Sequence, residues 1–133
     1  MKRLLVSGLL MSLVLPGCAD SDGDLPREYR RLAVPEVRLA SASAKTQGEK
    51  LFLQHCALCH GERGDGRGVR REGLTRSPRD FTNATWRRST SPRRVFYAIR
   101  EGLPRTPMPN WKALSEQDGW DMTAYVLSLS EQP

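Results

Sequence analysis

Cysteine is scarce in this chain and histidine scarcer: there are three of the one and two of the other among 133 residues. Three cysteines cannot build a disulfide framework. Cys56, Cys59 and His60 have no second Cys/His pair downstream, which removes a closed zinc site. No βαβ pattern surrounds the two cysteines, which removes a thioredoxin-like redox couple. The glycine-rich stretch 61–68 lacks the Gly-Lys-Ser/Thr ending of a phosphate-binding loop. The mostly apolar run Leu4 to Leu15 is twelve residues, too short for a comfortable membrane span. No internal repeats occur, and no acid–base or nucleophilic constellation is visible.

What is present centres on Cys56-Ala57-Leu58-Cys59-His60. Two cysteines three apart, followed at once by a histidine, are what covalent haem attachment requires. Each thiol can add to one porphyrin vinyl group, and the histidine then lies beneath the iron. His55 abuts Cys56 and is tied to the same side. The net charge of +6, with 27% charged residues, makes the chain soluble and basic. A domain this small buries a modest core, and a covalently held haem would supply much of its apolar interior.

Met1-Lys2-Arg3 followed by the apolar run reads as a signal peptide over residues 1–17. It ends in Leu15-Pro16-Gly17-Cys18, which resembles the lipobox of bacterial lipoproteins, although Pro16 stands where a small or β-branched residue is more usual. The resemblance implies cleavage before Cys18 and lipid on its sulfur. The alternatives are ordinary cleavage after Ala19 and an uncleaved anchor. Residues 18–45 read as a tether, beginning with the acidic run 20–24. As a disordered chain it would span roughly 30 Å. Leu32, Val34, Val37 and Leu39 could pack onto the domain.

From residue 46 onward helical signals dominate. Thr46-Gln47-Gly48-Glu49 reads as a capping box, leading a helix into Cys56, with Gly48 marking a close helix crossing. Ser91-Pro92 starts a second helix with an apolar stripe of Val95, Phe96 and Ile99, closed by Gly102. Ser115 caps a last helix that ends by Ser130. Between these helices stands Met108, flanked by Pro107 and Pro109. Its backbone is stiff, and its thioether is a soft donor suited to haem iron. Met122 competes for that role, but lies inside the last helix, where core packing explains it.

Gly48, Phe52 and Cys56-x-x-Cys59-His60-Gly61 resemble the opening helix of class I c-type cytochromes, and Met108-Pro109-Asn110-Trp111 resembles that family's distal-ligand loop. The resemblance covers about residues 46–129. It implies an all-α fold over 46–131, three to four helices around one covalent haem c. It implies first and last helices crossing at Gly48, with Tyr125 as the aromatic partner of Phe52. His60 and Met108 would be the axial ligands, and a backbone carbonyl, Pro78 in this chain, would accept from His60. Arg79 and Trp86 are candidates for the haem propionates; the alternative is a surface arginine and a core tryptophan.

The function implied is electron transfer outside the cytoplasm, on the periplasmic side of a bacterial membrane, with no catalysis and no small-molecule substrate. An electron-entry subunit of a larger oxidase or reductase is the alternative. A gas-binding or peroxidase-like haem protein needs an open distal site, against which Met108 argues. Residues 60–105 hold twelve arginines and no lysine against five acids, a segment charge of +7. Such a rim suits an acidic redox partner. A solvated surface and an anionic lipid surface are the other readings, and nucleic acid is not expected.

Overall fold

The computed structural model describes residues 22–131. Seven α-helices are present among them and no strand: α1 (Arg27–Arg30), α2 (Glu36–Ala40), α3 (Ala42–His55), α4 (Ala57–His60), α5 (Ala84–Ser89), α6 (Pro92–Glu101) and α7 (Glu116–Ser128). A 3₁₀ turn, Leu129–Glu131, follows. The three longer helices, α3, α6 and α7, form the frame of the expected all-α fold. No helix of the described residues is long and apolar enough to cross a membrane.

Helix α7 is the spine. Every residue from Gly119 to Leu127 is buried, so it has no solvent face through its middle turns. Helix α3 covers one side, α6 another and α2 a third. The core joins Leu51 and Phe52 of α3, Val95 and Ile99 of α6, and Met122, Tyr125 and Val126 of α7. Phe96 stacks on Trp120 with ring centroids 4.0 Å apart. Met122 is fully buried in this cluster. Two polar residues share the interior of α7. The Thr123 hydroxyl donates to the Gly119 carbonyl at 2.8 Å. The fully buried Asp121 carboxylate accepts both donors of Arg38, at 2.6 and 2.7 Å, which is the fork geometry that guanidinium and carboxylate share.

Where α3 crosses α7 there is no room for a side chain. A Cβ on Gly48 would lie 2.0 Å from the Asp121 carbonyl oxygen. The expected close crossing is therefore real, and Phe52 meets Tyr125 beside it at 5.3 Å. The helix begins earlier than its capping box suggests. The Ser41 hydroxyl accepts from the Ala44 amide at 3.2 Å, so α3 starts at Ala42 and Thr46 falls inside it. The alanines between Ser41 and Thr46 extend the helix at little cost. Ser91 and Ser115 cap α6 and α7 as expected, accepting from Arg94 and Asp118 amides at 3.1 and 3.0 Å.

Residues 22–45 are not the solvated tether that their composition suggests. Leu25 is only 4% exposed. Ser91 and Arg93 hold the Asp22 carboxylate, and Arg94 holds that of Asp24. Arg93 Nε also donates to the Leu32 carbonyl at 2.9 Å. These pairs join residues about seventy positions apart in the chain, which local composition cannot reveal. Leu32, Val34 and Leu39 are half-buried, whereas Val37 is exposed.

Gly48→Ala is expected to force α3 away from α7 and to cost about 2 kcal/mol, the range for overpacking a tight contact. Urea unfolding of the haem-loaded protein, followed by helical circular dichroism, measures it.

Candidate functional site

The end of α3 delivers the Cys-x-x-Cys-His stretch. The Cys56 amide donates to Phe52 at 2.8 Å, the last bond of α3, and the His60 amide donates to the Cys56 carbonyl at 2.9 Å. Cys56 and Cys59 thus stand one helical turn apart on a short helix, half-buried and with free thiols. Burial, helped by the neighbouring Cys59, pushes the Cys56 thiol up to about 12. A redox-active thiol is favoured by the opposite shift.

The glycine-rich loop lies against this turn. Gly68 donates to the Cys59 carbonyl at 3.1 Å and Arg70 to that of Leu58 at 2.8 Å. A Cβ on Gly68 would come within 2.4–2.5 Å of the Leu58 and Cys59 backbone. Only glycine permits that approach. The same pairing sets Val69 beside Leu58, and their side chains are 83% and 47% exposed. Two exposed apolar side chains therefore flank the second cysteine.

His60 is oriented from behind. Its Nδ1 is 3.1 Å from the Arg79 carbonyl oxygen. A carbonyl can only accept, so Nδ1 carries the proton and Nε2 keeps its lone pair. The expected acceptor was Pro78, one residue earlier. The register is fixed by the Phe81 amide, which donates to Gly64 at 2.7 Å. That clamp also lays the Phe81 ring on His60 at 4.6 Å, nearly parallel. Burial lowers the His60 pKa, and the bond to Arg79 partly offsets it. The ring is held neutral, as a metal ligand must be.

Trp86 lies 5.1 Å from Phe81 and packs on the core. Arg79 has an exposed side chain, so its carbonyl is the part engaged here. Next to Trp86, the buried Nε of Arg87 has no hydrogen-bond partner among the described residues. Nothing in the local sequence marks Arg87 out from its neighbour Arg88. Only burial distinguishes it, as a donor that an added carboxylate would satisfy.

Met108 is half-buried in the loop between α6 and α7. Its amide donates to the Thr106 hydroxyl at 3.2 Å, and its carbonyl accepts from Leu103 at 3.4 Å. The loop then returns to the frame. The Trp111 amide donates to Ile99 at 3.0 Å, and the Trp111 ring lies 4.8 Å from His55. His55 and Trp111 join the methionine loop to the helix end that leads into Cys56. Met122 stays in the core cluster. Cys18 lies outside the described residues.

These features fit a covalently attached haem. Two free thiols stand a turn apart, with a neutral imidazole whose Nε2 is unused. A glycine loop brings backbone rather than side chains against the attachment turn. Among the described residues no cluster of three or more His, Cys, Asp or Glu offers a different metal site.

Comparison with known proteins agrees. The family described as cytochrome c oxidase, cbb3-type, subunit III, matches residues 43–126. Cytochrome c55X of Stutzerimonas stutzeri is 37% identical over 93 residues, covering 65% of this chain and 71% of that protein. The cbb3-type cytochrome c oxidase subunit CcoP of Cereibacter sphaeroides is 38% identical over 93 residues, covering 66% of this chain but 28% of that subunit. Among solved structures, a chain of the Kuenenia stuttgartiensis reducing HAO-like protein complex superposes with a TM-score of 0.59 at 30% identity. That match covers 67% of this chain and 44% of the other. The c-type cytochrome KustC0563 superposes with a TM-score of 0.53 at 35% identity, over 62% of this chain and 95% of that one. With the attachment turn, the oriented histidine and these likenesses together, the chain belongs to the c-type cytochromes, in the family of cytochrome c oxidase, cbb3-type, subunit III, and its cofactor is one covalently bound haem c.

Proposed function

We propose that this protein transfers electrons through an iron held between His60 and Met108, that lipid on Cys18 anchors it on the periplasmic side of a bacterial membrane, and that it docks on an acidic redox partner. Haem c, when bound, supplies a one-electron iron couple. The observation that carries the reading is the bond from His60 Nδ1 to the Arg79 carbonyl. It fixes the tautomer, points Nε2 away from the backbone and raises the basicity of the ring. Phe81, stacked on the imidazole, keeps it from rotating. A site held this rigidly changes little between two oxidation states.

Met108 is the methionine available for the opposite position, because it sits in a loop while Met122, the rival, is buried among apolar side chains. Two axial ligands would leave no position for a substrate, so no enzymatic activity is assigned. Arg79, Trp86 and Arg87 are the residues proposed for the propionates. Arg87 is added for its unsatisfied Nε. A seat in a larger complex is the second reading, favoured by the resemblance to the CcoP subunit and to the HAO-like complex chain. Co-purifying partners would distinguish it from a free carrier.

Docking is supported by which arginines the fold leaves outside. Arg93, Arg94 and Arg100 are engaged internally, with Asp22 and Leu32, with Asp24 and with Leu114. Arg67, Arg70 and Arg71 are exposed, and they border the exposed pair Leu58 and Val69 beside Cys59. An apolar centre with a cationic rim at the attachment turn suits brief contact with a partner of opposite charge.

Three outcomes are expected. The oxidised protein shows the weak red band of sulfur-to-iron charge transfer; Met108→Ala abolishes it and opens the iron to cyanide, while Met122→Ala keeps it. Reaction with an acidic redox partner slows steeply as ionic strength rises, because screening acts over about 10 Å at 0.1 M salt. Changing Arg67, Arg70 and Arg71 together to Gln flattens that dependence in stopped-flow measurements. Mass spectrometry finds a mature N-terminus at Cys18 carrying lipid; an unmodified Ala19 or Asp20 there would end the anchor reading.

A further inference from the structure

The loop that carries Met108 packs its Met108–Asn110 backbone on Gly102 but leaves its outer side to solvent. Pro107, Pro109, Asn110 and Lys112 are all exposed, and the backbone bonds named above secure it at only a few points. Segments with few buried contacts open locally at low cost. Besides the His55–Trp111 contact with α3, one polar connection links the loop to the N-terminal segment. Glu101, the last residue of α6, accepts from the Tyr29 hydroxyl on one carboxylate oxygen at 2.6 Å. Its other oxygen pairs with the Lys112 ammonium at 2.6 Å. Tyr29 belongs to the N-terminal segment, and Lys112 to the methionine loop.

A glutamate is a poor choice at this point on helical grounds. The C-terminus of a helix carries partial negative charge and disfavours an acid. Glu101 is nevertheless ionised: Lys112 first, then Tyr29, hold its carboxyl below the usual range. Tyr29 is a dependable donor, since burial and the adjacent Glu101 push its phenol up to about 12. It is also rigid. Its ring stands edge-on to Tyr97 at 4.8 Å and lies 6.4 Å from Phe96. Lys112 follows Trp111, whose amide bonds to Ile99. One carboxylate therefore joins an immobile wall, the end of α6 and the outgoing arm of the loop.

We infer that Glu101, bridging Tyr29 and Lys112, is a positioning residue for Met108: it latches the loop shut and so sets how readily the sulfur yields to a competing ligand. The inference rests on the reading of Met108 as an axial ligand. The latch acts on loop opening, so its removal raises the apparent affinity of any external ligand that needs the loop open.

The test is an imidazole titration of the oxidised, haem-loaded full chain at neutral pH, followed through loss of the red sulfur–iron band. Glu101→Ala is expected to bind imidazole about tenfold more tightly than the unaltered protein, the scale for a bridge whose Lys112 arm is exposed and screened by solvent. Tyr29→Phe and Lys112→Gln each give about a third to a half of that change on a logarithmic scale, and Lys112→Arg restores the original affinity. Tyr29→Phe removes a single oxygen and keeps the experiment decisive if Glu101→Ala folds poorly. Arg38→Gln is the control. It cuts another tie between the N-terminal segment and the frame, without touching the loop, so it lowers the melting temperature and leaves imidazole affinity unchanged. If the band is present and Glu101→Ala and Tyr29→Phe bind imidazole like the unaltered protein, the latch is wrong while the Met108 ligand stands. Equal tightening by Arg38→Gln would likewise reduce the effect to general stability. If the unaltered oxidised protein has no such band, the Met108 reading fails and takes the latch with it.

Discussion

The contact of Gly48 with the backbone of α7 is the constraint on which the rest depends. Because no side chain intervenes, α3 lies against α7 closely enough for Phe52 to reach Tyr125. Phe52 is four residues before Cys56 and accepts its amide. The helix crossing therefore positions the attachment turn, and with it His60. The same stretch of α7 presents Asp121 to Arg38, so the N-terminal segment is referred to that crossing as well. A displacement of α7 along its axis would be felt at the attachment turn and at the N-terminal wall together.

Aromatic rings carry the position of the crossing toward the site. Phe52, Phe81 and His60 form a cluster with centroids 4.6–6.5 Å apart, and Trp86 extends it from Phe81. Rings have few rotatable bonds, so ordering them costs little entropy for the area they cover. His55 and Trp111 make the corresponding contact for the methionine loop. His55, at the end of α3, thus meets that loop, while the turn that follows it carries His60.

Most of this was legible in the sequence where the signal is local. The attachment turn and the serine caps of α6 and α7 depend on residues a turn or two apart, whereas the Gly48 crossing with α7 came from the resemblance to class I cytochromes. The start of α3 was a local miss, since Ser41 rather than Thr46 caps it, and the other errors share one physical cause. The oxygen that accepts from His60 belongs to Arg79 rather than Pro78, because the Phe81–Gly64 bond sets the register of a loop whose length the motif does not fix. Residues 22–45 read as tether because their acids and arginines look solvated in isolation. Their partners, Arg93, Arg94, Glu101 and Asp121, lie some seventy to eighty residues further on. Arg87 escaped notice for the same reason, since burial of a single Nε is invisible in a run of arginines.

That correction changes how the charge should be understood. Counted along the sequence, residues 60–105 form one basic block. In the fold the block divides. Arg93 and Arg94 pair with Asp22 and Asp24 of the N-terminal segment, and Arg93 and Arg100 bond to carbonyls, where a partly shielded pair contributes order rather than long-range field. The block's earlier arginines, on the glycine-rich loop, keep their charge in solvent beside the attachment turn. Arg67, Arg70 and Arg71 thus place exposed positive charge beside the attachment turn, whereas Arg93, Arg94 and Arg100 are spent on internal partners. Localising charge in this way serves orientation as well as speed, because a dipole aligned with the site turns the molecule before contact.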